Sequence, residues 1–351
     1  MLERRDRALK SSVVDEPMAR GVASEPSASA HRLSRVDDDG LTGAPMSSAV
    51  AILLCTKDGD AFLREQLESI QRQSHTNWQI VASDDGSADR TLETLEDFAR
   101  NRPGRIEIRK GPQRGFCRNF LSLATDPGIR ADYFAYCDQD DVWKEDKLAR
   151  ALAWLQTIPP SVPALYCARV KLVTADGELS GHSPLFARAP SFRNALVQNI
   201  GGGNTMVFNR AARQLLIEAG QVEVVSHDWW TYQLITACGG IVHYDPKPVL
   251  RYRQHNRNEI GSQVKWMARS RRLRMLLSGR FKTWNDSNIR ALKSIEPILD
   301  PKSRDTLERF CRARRDAKLL SRLRHLRRSG VYRQTLLSNL SLIAAVLLRK
   351  M

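Results

Sequence analysis

The chain has 351 residues, of which 42% are hydrophobic, and a formal net charge of +16. This length suits one large domain with an appended region, and the composition is that of a globular protein. The six cysteines are scattered without a CxxC pair, which favours reduced thiols over a disulfide framework or a zinc site.

The first 48 residues are rich in Ser, Ala, Arg, Asp and Pro and have no sustained apolar period. We therefore predict a disordered N-terminal segment at 1–48. The segment lacks the apolar core of a signal peptide, so nothing in it indicates secretion.

Four strand–turn–helix units follow in succession. Apolar strands are predicted at 49–55, 78–82, 106–108 and 133–137, and a helical pattern follows each of them. Such a series is typical of an α/β fold with a doubly wound, mostly parallel sheet and helices on both faces. Right-handed crossovers bring the carboxyl ends of the strands to one edge, where open α/β sheets bind ligands.

The fourth strand ends in Asp138-Gln139-Asp140-Asp141. Charged groups do not fit inside a sheet that is buried on both faces, so these carboxylates are expected just past the end of the strand. Neighbouring carboxylates repel each other, and a divalent cation such as Mg²⁺ or Mn²⁺ relieves that repulsion. An acidic start of a helix, capped by one Asp, is the alternative for this segment taken alone.

Six further elements are predicted downstream: a strand, a glycine turn that enters a strand, two helices and two short strands, at 164–173, 199–208, 210–219, 226–237, 239–244 and 249–252. The three glycines at 201–203 lack the spacing of a dinucleotide-binding motif or a P-loop. We place the boundary of this α/β domain at residues 49–263.

The basic charge is concentrated in residues 264–351, which hold 23 Lys and Arg against 6 Asp and Glu. The pattern there is helical, and no apolar run is long enough to cross a bilayer. We predict a basic helical extension that associates with an anionic membrane surface. A solvated basic face and binding to nucleic acid are the alternatives.

Several short motifs occur in order between residues 50 and 261, about 60% of the chain. Together they resemble glycosyltransferase family 2, of the GT-A fold, and in particular its rhamnosyltransferase-like members. The most specific of them are Asp138-Gln139-Asp140-Asp141-Val142-Trp143, His227-Asp228-Trp229-Trp230 and Tyr252-Arg253-Gln254-His255.

This resemblance implies a metal-dependent, inverting glycosyltransferase. It would move a sugar, rhamnose first among the candidates, from dTDP-rhamnose or a UDP-sugar to a glycan or lipid-linked acceptor in cell-surface polysaccharide biosynthesis. The implied site residues, grouped by role, are the base Asp228, the nucleotide-sugar contacts Thr56, Asp84, Asp85, Arg118 and Asp138, the ligands of Mg²⁺ or Mn²⁺ Asp138, Asp140 and His255, and the sugar-lining residues Trp229, Trp230, Asn204 and Arg253. The expected location is cytoplasmic, at the inner face of the cell membrane, with no nucleic-acid partner.

Two other functions would use some of the same features. A nucleotidyltransferase also uses acidic pairs with a metal, but it has a glycine-rich phosphate loop after the first strand, where this chain has only Gly59. A nucleic-acid-binding protein would act through residues 264–351 and would show a steep dependence on salt.

Overall fold

The computed structural model describes residues 48–255 and 280–351. The predicted disorder of the N-terminal segment and the first part of the predicted basic extension, residues 264–279, therefore lie outside the described residues. The strands are β1 Val50–Thr56, β2 Trp78–Asp84, β3 Ile106–Lys110, β4 Tyr133–Cys137, β5 Val142–Trp143, β6 Ala164–Ala168, β7 Lys171–Val173, β8 Leu179–His182, β9 Val207–Asn209, β10 Ile241–Asp245 and β11 Leu250–Arg253. The α-helices are α1 Asp60–Gln71, α2 Thr91–Asn101, α3 Phe116–Ala124, α4 Lys147–Leu155, α5 Phe192–Ala195, α6 Arg210–Ala219, α7 His227–Ala237, α8 Arg280–Ser294, α9 Pro301–Arg315, α10 Leu319–Ser329 and α11 Leu336–Leu347.

The main sheet has seven strands in the order β10-β6-β9-β4-β1-β2-β3. All neighbours in it are parallel except β9, which runs antiparallel to both β4 and β6. The prediction of a mostly parallel sheet is therefore confirmed.

A second, smaller sheet has the order β5-β11-β7-β8 and was not predicted. The segment 164–173, predicted as one strand, divides into β6 in the main sheet and β7 in the small one. The helix predicted after the fourth strand begins at Lys147, because Val142 and Trp143 first form β5 and pair with β11. Strands of two to four residues are too short to show an apolar period.

Both faces of the main sheet are covered, and β1 is buried along its whole length. Successive side chains of a strand point to opposite faces, so Leu53 belongs to one hydrophobic core and Leu54 to the other. The first core also includes Leu292 of α8, Phe310 of α9 and Leu342 of α11. The described C-terminal helices therefore pack onto one face of the α/β domain.

The register of the parallel strands brings several strand ends to one level. Thr56, the last residue of β1, pairs with Asp84, the last of β2, and Cys137 at the end of β4 pairs with Leu54. The segments that leave β1, β2 and β4 consequently share one edge of the sheet. Gly115, which precedes α3, has a φ of 85° that favours glycine.

Two helices of the C-terminal region, α9 and α11, begin at side-chain caps. Asp300 accepts a hydrogen bond from the N–H of Ser303 at the start of α9, and Thr335 accepts one from Ser338 at the start of α11. Within 48–255 and 280–351, no helix combines the length and the apolar character that a bilayer crossing requires.

Candidate active site

A cleft of about 1240 Å³ lies at the edge where β1, β2 and β4 end. Its walls are completed by the glycine segment 201–203 before β9, the start of α7 and the β7–β8 hairpin. Asp85, Asp138, Asp140 and Asp228 come from separate segments of the chain, and all four line it. Its volume is at least that of typical small-molecule sites.

The cleft gathers most of the site residues that the sequence predicts. The predicted residues that line it are Thr56, Asp85, Asp138, Asp140, Asn204, Asp228 and His255. The predicted residues that do not line it are Asp84, Arg118, Trp229, Trp230 and Arg253.

The carboxylates of Asp84 and Asp85 face different surroundings. Asp84 is buried, accepts hydrogen bonds from the hydroxyl of Thr56 (2.8 Å) and the N–H of Ser87 (2.8 Å), and so orders the turn after β2. Asp85 reaches the cleft and accepts hydrogen bonds from the N–H groups of Gln113 (2.6 Å) and Gly115 (2.8 Å). Asp85 thereby ties the loop before α3 to the end of β2.

Gln139 connects the acidic loop after β4 to the end of β1. Its side-chain oxygen accepts a hydrogen bond from the N–H of Lys57 (2.8 Å), and its side-chain nitrogen donates one to the carbonyl of Lys57 (2.8 Å). A Cβ atom at Gly59 would collide with this oxygen, so a larger side chain there would displace the Gln139 amide from Lys57.

Asp141 is buried beneath the cleft and holds two neighbouring segments. Its carboxylate accepts hydrogen bonds from the side-chain amide of Asn204 (2.5 Å) and from the N–H of Arg253 (3.3 Å). Burial raises the pKa of Asp141 well above its usual range, and the nearby carboxylates of Asp140 and Asp138 raise it further.

Lys147 is a buried cation that was not predicted as a site residue. Its ammonium group donates to the carbonyl of Asn204 (2.7 Å) and lies 3.0 Å from the centre of the Trp143 ring. Burial lowers the pKa of Lys147 to about 7, an effect opposed by Cys137, Asp141 and Asp138. The sequence did carry a signal for it, because a lysine four residues before Ala151 falls on the apolar face of the predicted helix, where a charged side chain is unusual.

Asp138 and Asp140 are the carboxylates whose surroundings suit a cation. Burial raises the pKa of Asp138 to about 8, and the carboxylates of Asp140 and Asp228 contribute to the rise. In residues 48–255 and 280–351, no three His, Cys, Asp or Glu side chains converge closely enough to form a complete metal site. Two carboxylates in an electronegative cleft nevertheless fit Mg²⁺ or Mn²⁺, which commonly take their remaining ligands from substrate phosphates and water.

His255 lies directly against this acidic pair. Its Nε2 atom is 2.7 Å from Oδ2 of Asp140, and its ring stacks on Phe62 with the ring centroids 5.0 Å apart. The guanidinium group of Arg253 supports the same loop, because it donates to the backbone carbonyls of Ala175 (2.6 Å) and Asp140 (3.3 Å).

Asp228 lies in the first turn of α7, and backbone and side-chain donors fix its carboxylate. Oδ2 accepts from the side-chain amide of Asn199 (3.0 Å) and the N–H of Gly203 (3.3 Å), and Oδ1 accepts from the N–H of Trp229 (2.6 Å). Asn199 was not predicted as a site residue. Its position two residues before Gly201 was the signal for it in the sequence.

The remaining predicted residues surround the cleft without entering it. Arg118 pairs with Glu223. Trp229 is buried and donates its indole N–H to the carbonyl of Ala195 (2.6 Å), and Trp230 is wholly buried in the first core. These tryptophans anchor α7 and thereby the position of Asp228.

Comparison with known proteins gives a match for residues 51–218 to the model of glycosyl transferase family 2. The dTDP-rhamnosyl transferase RfbG of Shigella flexneri is 28% identical over 235 residues, which cover 63% of this chain and 78% of the relative. The structure of S. aureus TarS 1–349 in complex with UDP-GlcNAc gives a TM-score of 0.50 at 12% identity and covers 81% of this chain and 93% of that chain. The mannosyltransferase PcManGT from Pyrobaculum calidifontis, in complex with GDP-Man and Mn²⁺, gives a TM-score of 0.49 at 17% identity. It covers 87% of this chain and 86% of that chain. The likeness to TarS confirms the predicted fold class.

Proposed function

We propose that this chain, a glycosyltransferase whose residues 51–218 match the model of glycosyl transferase family 2, transfers rhamnose from dTDP-rhamnose to a glycan or lipid-linked acceptor. The observation that carries this proposal is the shared cleft of Asp85, Asp138, Asp140 and Asp228. The choice of rhamnose is supported by the relative from Shigella flexneri, which is named a dTDP-rhamnosyl transferase. A UDP-sugar is the other donor to be tested. The biological setting that we propose is cell-surface polysaccharide biosynthesis.

The donor would lie along the ends of β1, β2 and β4. The carboxylate of Asp85 can accept hydrogen bonds from the N–H of the base or the hydroxyl groups of the ribose. The hydroxyl of Thr56, which donates to Asp84, can accept a further one. Asp138 and Asp140, with His255 beside Asp140, would hold Mg²⁺ or Mn²⁺, and the donor phosphates and water would supply the remaining ligands. When bound, such a cation stabilises negative charge on the diphosphate leaving group.

Asp228 is the proposed general base. A carboxylate oxygen accepts the proton of the acceptor hydroxyl while the hydroxyl oxygen attacks the anomeric carbon. The bond from the anomeric carbon to the phosphate oxygen breaks in the same displacement, and the nucleoside diphosphate leaves. One displacement on the face opposite the leaving group inverts the anomeric configuration. The donors from Asn199 and Gly203 keep the carboxylate aimed at the cleft.

We further propose that the protein works at the anionic inner face of the cell membrane. Residues 317–351 contain eight Lys and Arg and no Asp or Glu. On α11 the side chains of Leu336, Leu340 and Ile343 are exposed, while Leu342 and Val346 pack into the first core. A helix with an exposed apolar face in strongly basic surroundings is typical of peripheral attachment to anionic lipids.

The loop before α11 connects this surface to the cleft. Arg333 donates to the carbonyl of Val197 (3.1 Å), and the N–H of Gln334 donates to the side chain of Gln198 (2.8 Å). These contacts directly precede Asn199, which lines the cleft. A bilayer bound to α11 would therefore lie near the segment that orients the proposed base, which favours an acceptor attached to a lipid.

The decisive experiment uses the full chain with radiolabelled dTDP-rhamnose, UDP-sugars and GDP-sugars, Mn²⁺, and a membrane lipid extract that contains lipid-linked glycans. We expect dTDP-rhamnose to raise the unfolding temperature by mass action and its label to enter the lipid fraction with inverted anomeric configuration. If no nucleotide sugar stabilises the protein and none transfers its label, the proposed function is wrong.

A further inference from the structure

His227 is the first residue of α7, directly before Asp228, and lines the cleft. Only 4% of the residue is exposed. Its ring stacks on Phe120 with the centroids 3.9 Å apart and meets the ring of Tyr136 edge-on at 4.8 Å. Aromatic packing therefore fixes the orientation of the imidazole.

Both ring nitrogens of His227 are buried, and neither has a hydrogen-bond partner within the part of the chain that the structure describes. Burial lowers the pKa of His227 to about 4, so near pH 7 the imidazole is neutral and offers one N–H donor and one nitrogen acceptor. A buried polar group without a partner destabilises a fold. Phenylalanine would fill the same aromatic surroundings without that penalty, so a ligand explains this histidine better than packing does.

Gly203 packs directly beside Nε2 of His227. A Cβ atom at position 203 would lie 2.3 Å from Nε2, so a larger side chain there would collide with this nitrogen. Gly203 also lines the cleft, and its N–H donates to Oδ2 of Asp228 (3.3 Å). The same glycine thus borders both the imidazole and the proposed base.

We propose that His227 is a sugar-binding residue, whose imidazole hydrogen-bonds to a hydroxyl group of a sugar beside Asp228. This inference rests on the proposed function. A hydroxyl group both donates and accepts, which matches a neutral imidazole. A phosphate matches it poorly, because the ring carries no positive charge and the carboxylates of Asp138 and Asp228 are near. The hydroxyl belongs either to the donor sugar or to the acceptor, and the experiment separates the two.

The test is His227→Phe, which keeps an aromatic ring and removes both nitrogens. We expect an unfolding temperature no lower than that of the wild type. We also expect about a tenfold loss in affinity for dTDP-rhamnose or in transfer to the lipid extract, the effect of losing one hydrogen bond. Calorimetry with dTDP-rhamnose and with dTDP identifies the sugar concerned. If only the affinity for dTDP-rhamnose falls, the hydroxyl is on the donor. If both affinities persist and transfer to the lipid extract falls, it is on the acceptor.

His227→Gln serves as the rescue variant, because its amide group can again donate or accept near the position of Nε2. We expect it to recover part of the lost affinity or transfer. The inference is overturned if His227→Phe binds dTDP-rhamnose and transfers its sugar like the wild type. It is also overturned if His227→Phe loses stability along with transfer and His227→Gln restores neither. A failure of the proposed function looks different, because the wild-type protein itself then binds none of the nucleotide sugars.

Discussion

The buried ammonium group of Lys147 donates a hydrogen bond to the backbone carbonyl of Asn204 over a distance of 2.7 Å. Asn204 in turn donates its side-chain amide to Asp141, so the lysine links α4, the glycine segment and the acidic loop. The positive charge of Lys147 also lowers the pKa of Asp138, against the larger opposing effect of burial. Lys147 is therefore a positioning residue for the proposed metal ligands.

We predict that Lys147→Met lowers the free energy of unfolding by about 1–3 kcal/mol, because the carbonyl of Asn204 loses a charged donor in a buried place. Binding of Mn²⁺ near pH 7 should also weaken, because without Lys147 the pKa of Asp138 rises and this carboxyl group must release a proton before it binds the cation. Urea unfolding and titration with Mn²⁺ measure the two effects. Lys302→Met, at an exposed position of α9, is the matched control. If the two variants behave alike, Lys147 has no positioning role.

The sequence predicted the main sheet well because its strands carry strong local signals. β4 was predicted at its observed bounds, and so was α6, where an apolar helical period begins after the capping side chain of Asn209. The small sheet was missed because its strands are short and their pairing is distant, as for Trp143 with Leu250. Contacts of that kind leave no pattern within a single segment.

The site was predicted at the level of strand ends, and less well at the level of single side chains. Adjacent residues at a strand end point in different directions, so Asp84 orders a turn while Asp85 reaches the cleft. Which of the two faces a ligand depends on the loop before α3, and that loop lies far along the sequence. Trp229 and Trp230 follow Asp228 on a helix that is buried on nearly all sides, which directs both rings away from the cleft.

We predict that Asp228→Asn lowers kcat by about 10²–10⁴-fold, the usual contribution of a general base, while the affinity for the donor stays unchanged. The amide keeps the shape of the side chain but cannot accept the proton. Radiolabel transfer gives kcat, and calorimetry with dTDP-rhamnose gives the affinity. Asp97→Asn, which changes an exposed carboxylate on α2, should retain full activity. Full turnover by Asp228→Asn would show that another group removes the proton.

For Asp138→Ala we predict that Mn²⁺ no longer strengthens binding of dTDP-rhamnose. The variant removes one of the two carboxylates that we propose as metal ligands, and Asp140 and His255 alone hold a divalent cation poorly. Calorimetry is performed with Mn²⁺ and with EDTA. Asp146→Ala, at the exposed residue before α4, should keep the dependence of the wild type on Mn²⁺. An unchanged dependence in Asp138→Ala would remove Asp138 from the proposed metal site.

His227 leads to a prediction about acid stability. Burial lowers its pKa to about 4 in the folded protein, against an opposing effect of Asp228, whereas histidine in an unfolded chain titrates near about 6.5. Between these values the unfolded chain binds a proton that the folded protein does not. The contribution of the neutral, buried imidazole to the free energy of unfolding is therefore complete above about pH 6.5, and it is lost as the pH falls to about 4.

The free energy of unfolding of the wild type should fall between pH 7 and pH 4, and His227 accounts for up to about 3 kcal/mol of that fall. In His227→Phe we expect this part of the fall to be absent. Urea unfolding at several pH values in this window measures the slope. His182→Phe, at an exposed histidine of β8, should leave the slope as in the wild type. Equal pH dependences for the wild type and His227→Phe would mean that the imidazole binds a proton as readily in the folded protein as in the unfolded chain.

The final prediction concerns the exposed face of α11, where we expect the double variant Leu336→Gln/Leu340→Gln to reduce binding to anionic vesicles by about tenfold or more. Each substitution removes an apolar side chain that would be buried in the bilayer, which contributes about 1.5–3 kcal/mol at full burial. Sedimentation with phosphatidylcholine vesicles, with and without phosphatidylglycerol, measures the binding. Leu92→Gln, at a leucine of α2 that is 39% exposed, is the control. Vesicle binding that survives in the double variant and disappears at high salt would assign attachment to the arginines alone, and binding to DNA in place of vesicles would contradict a membrane role.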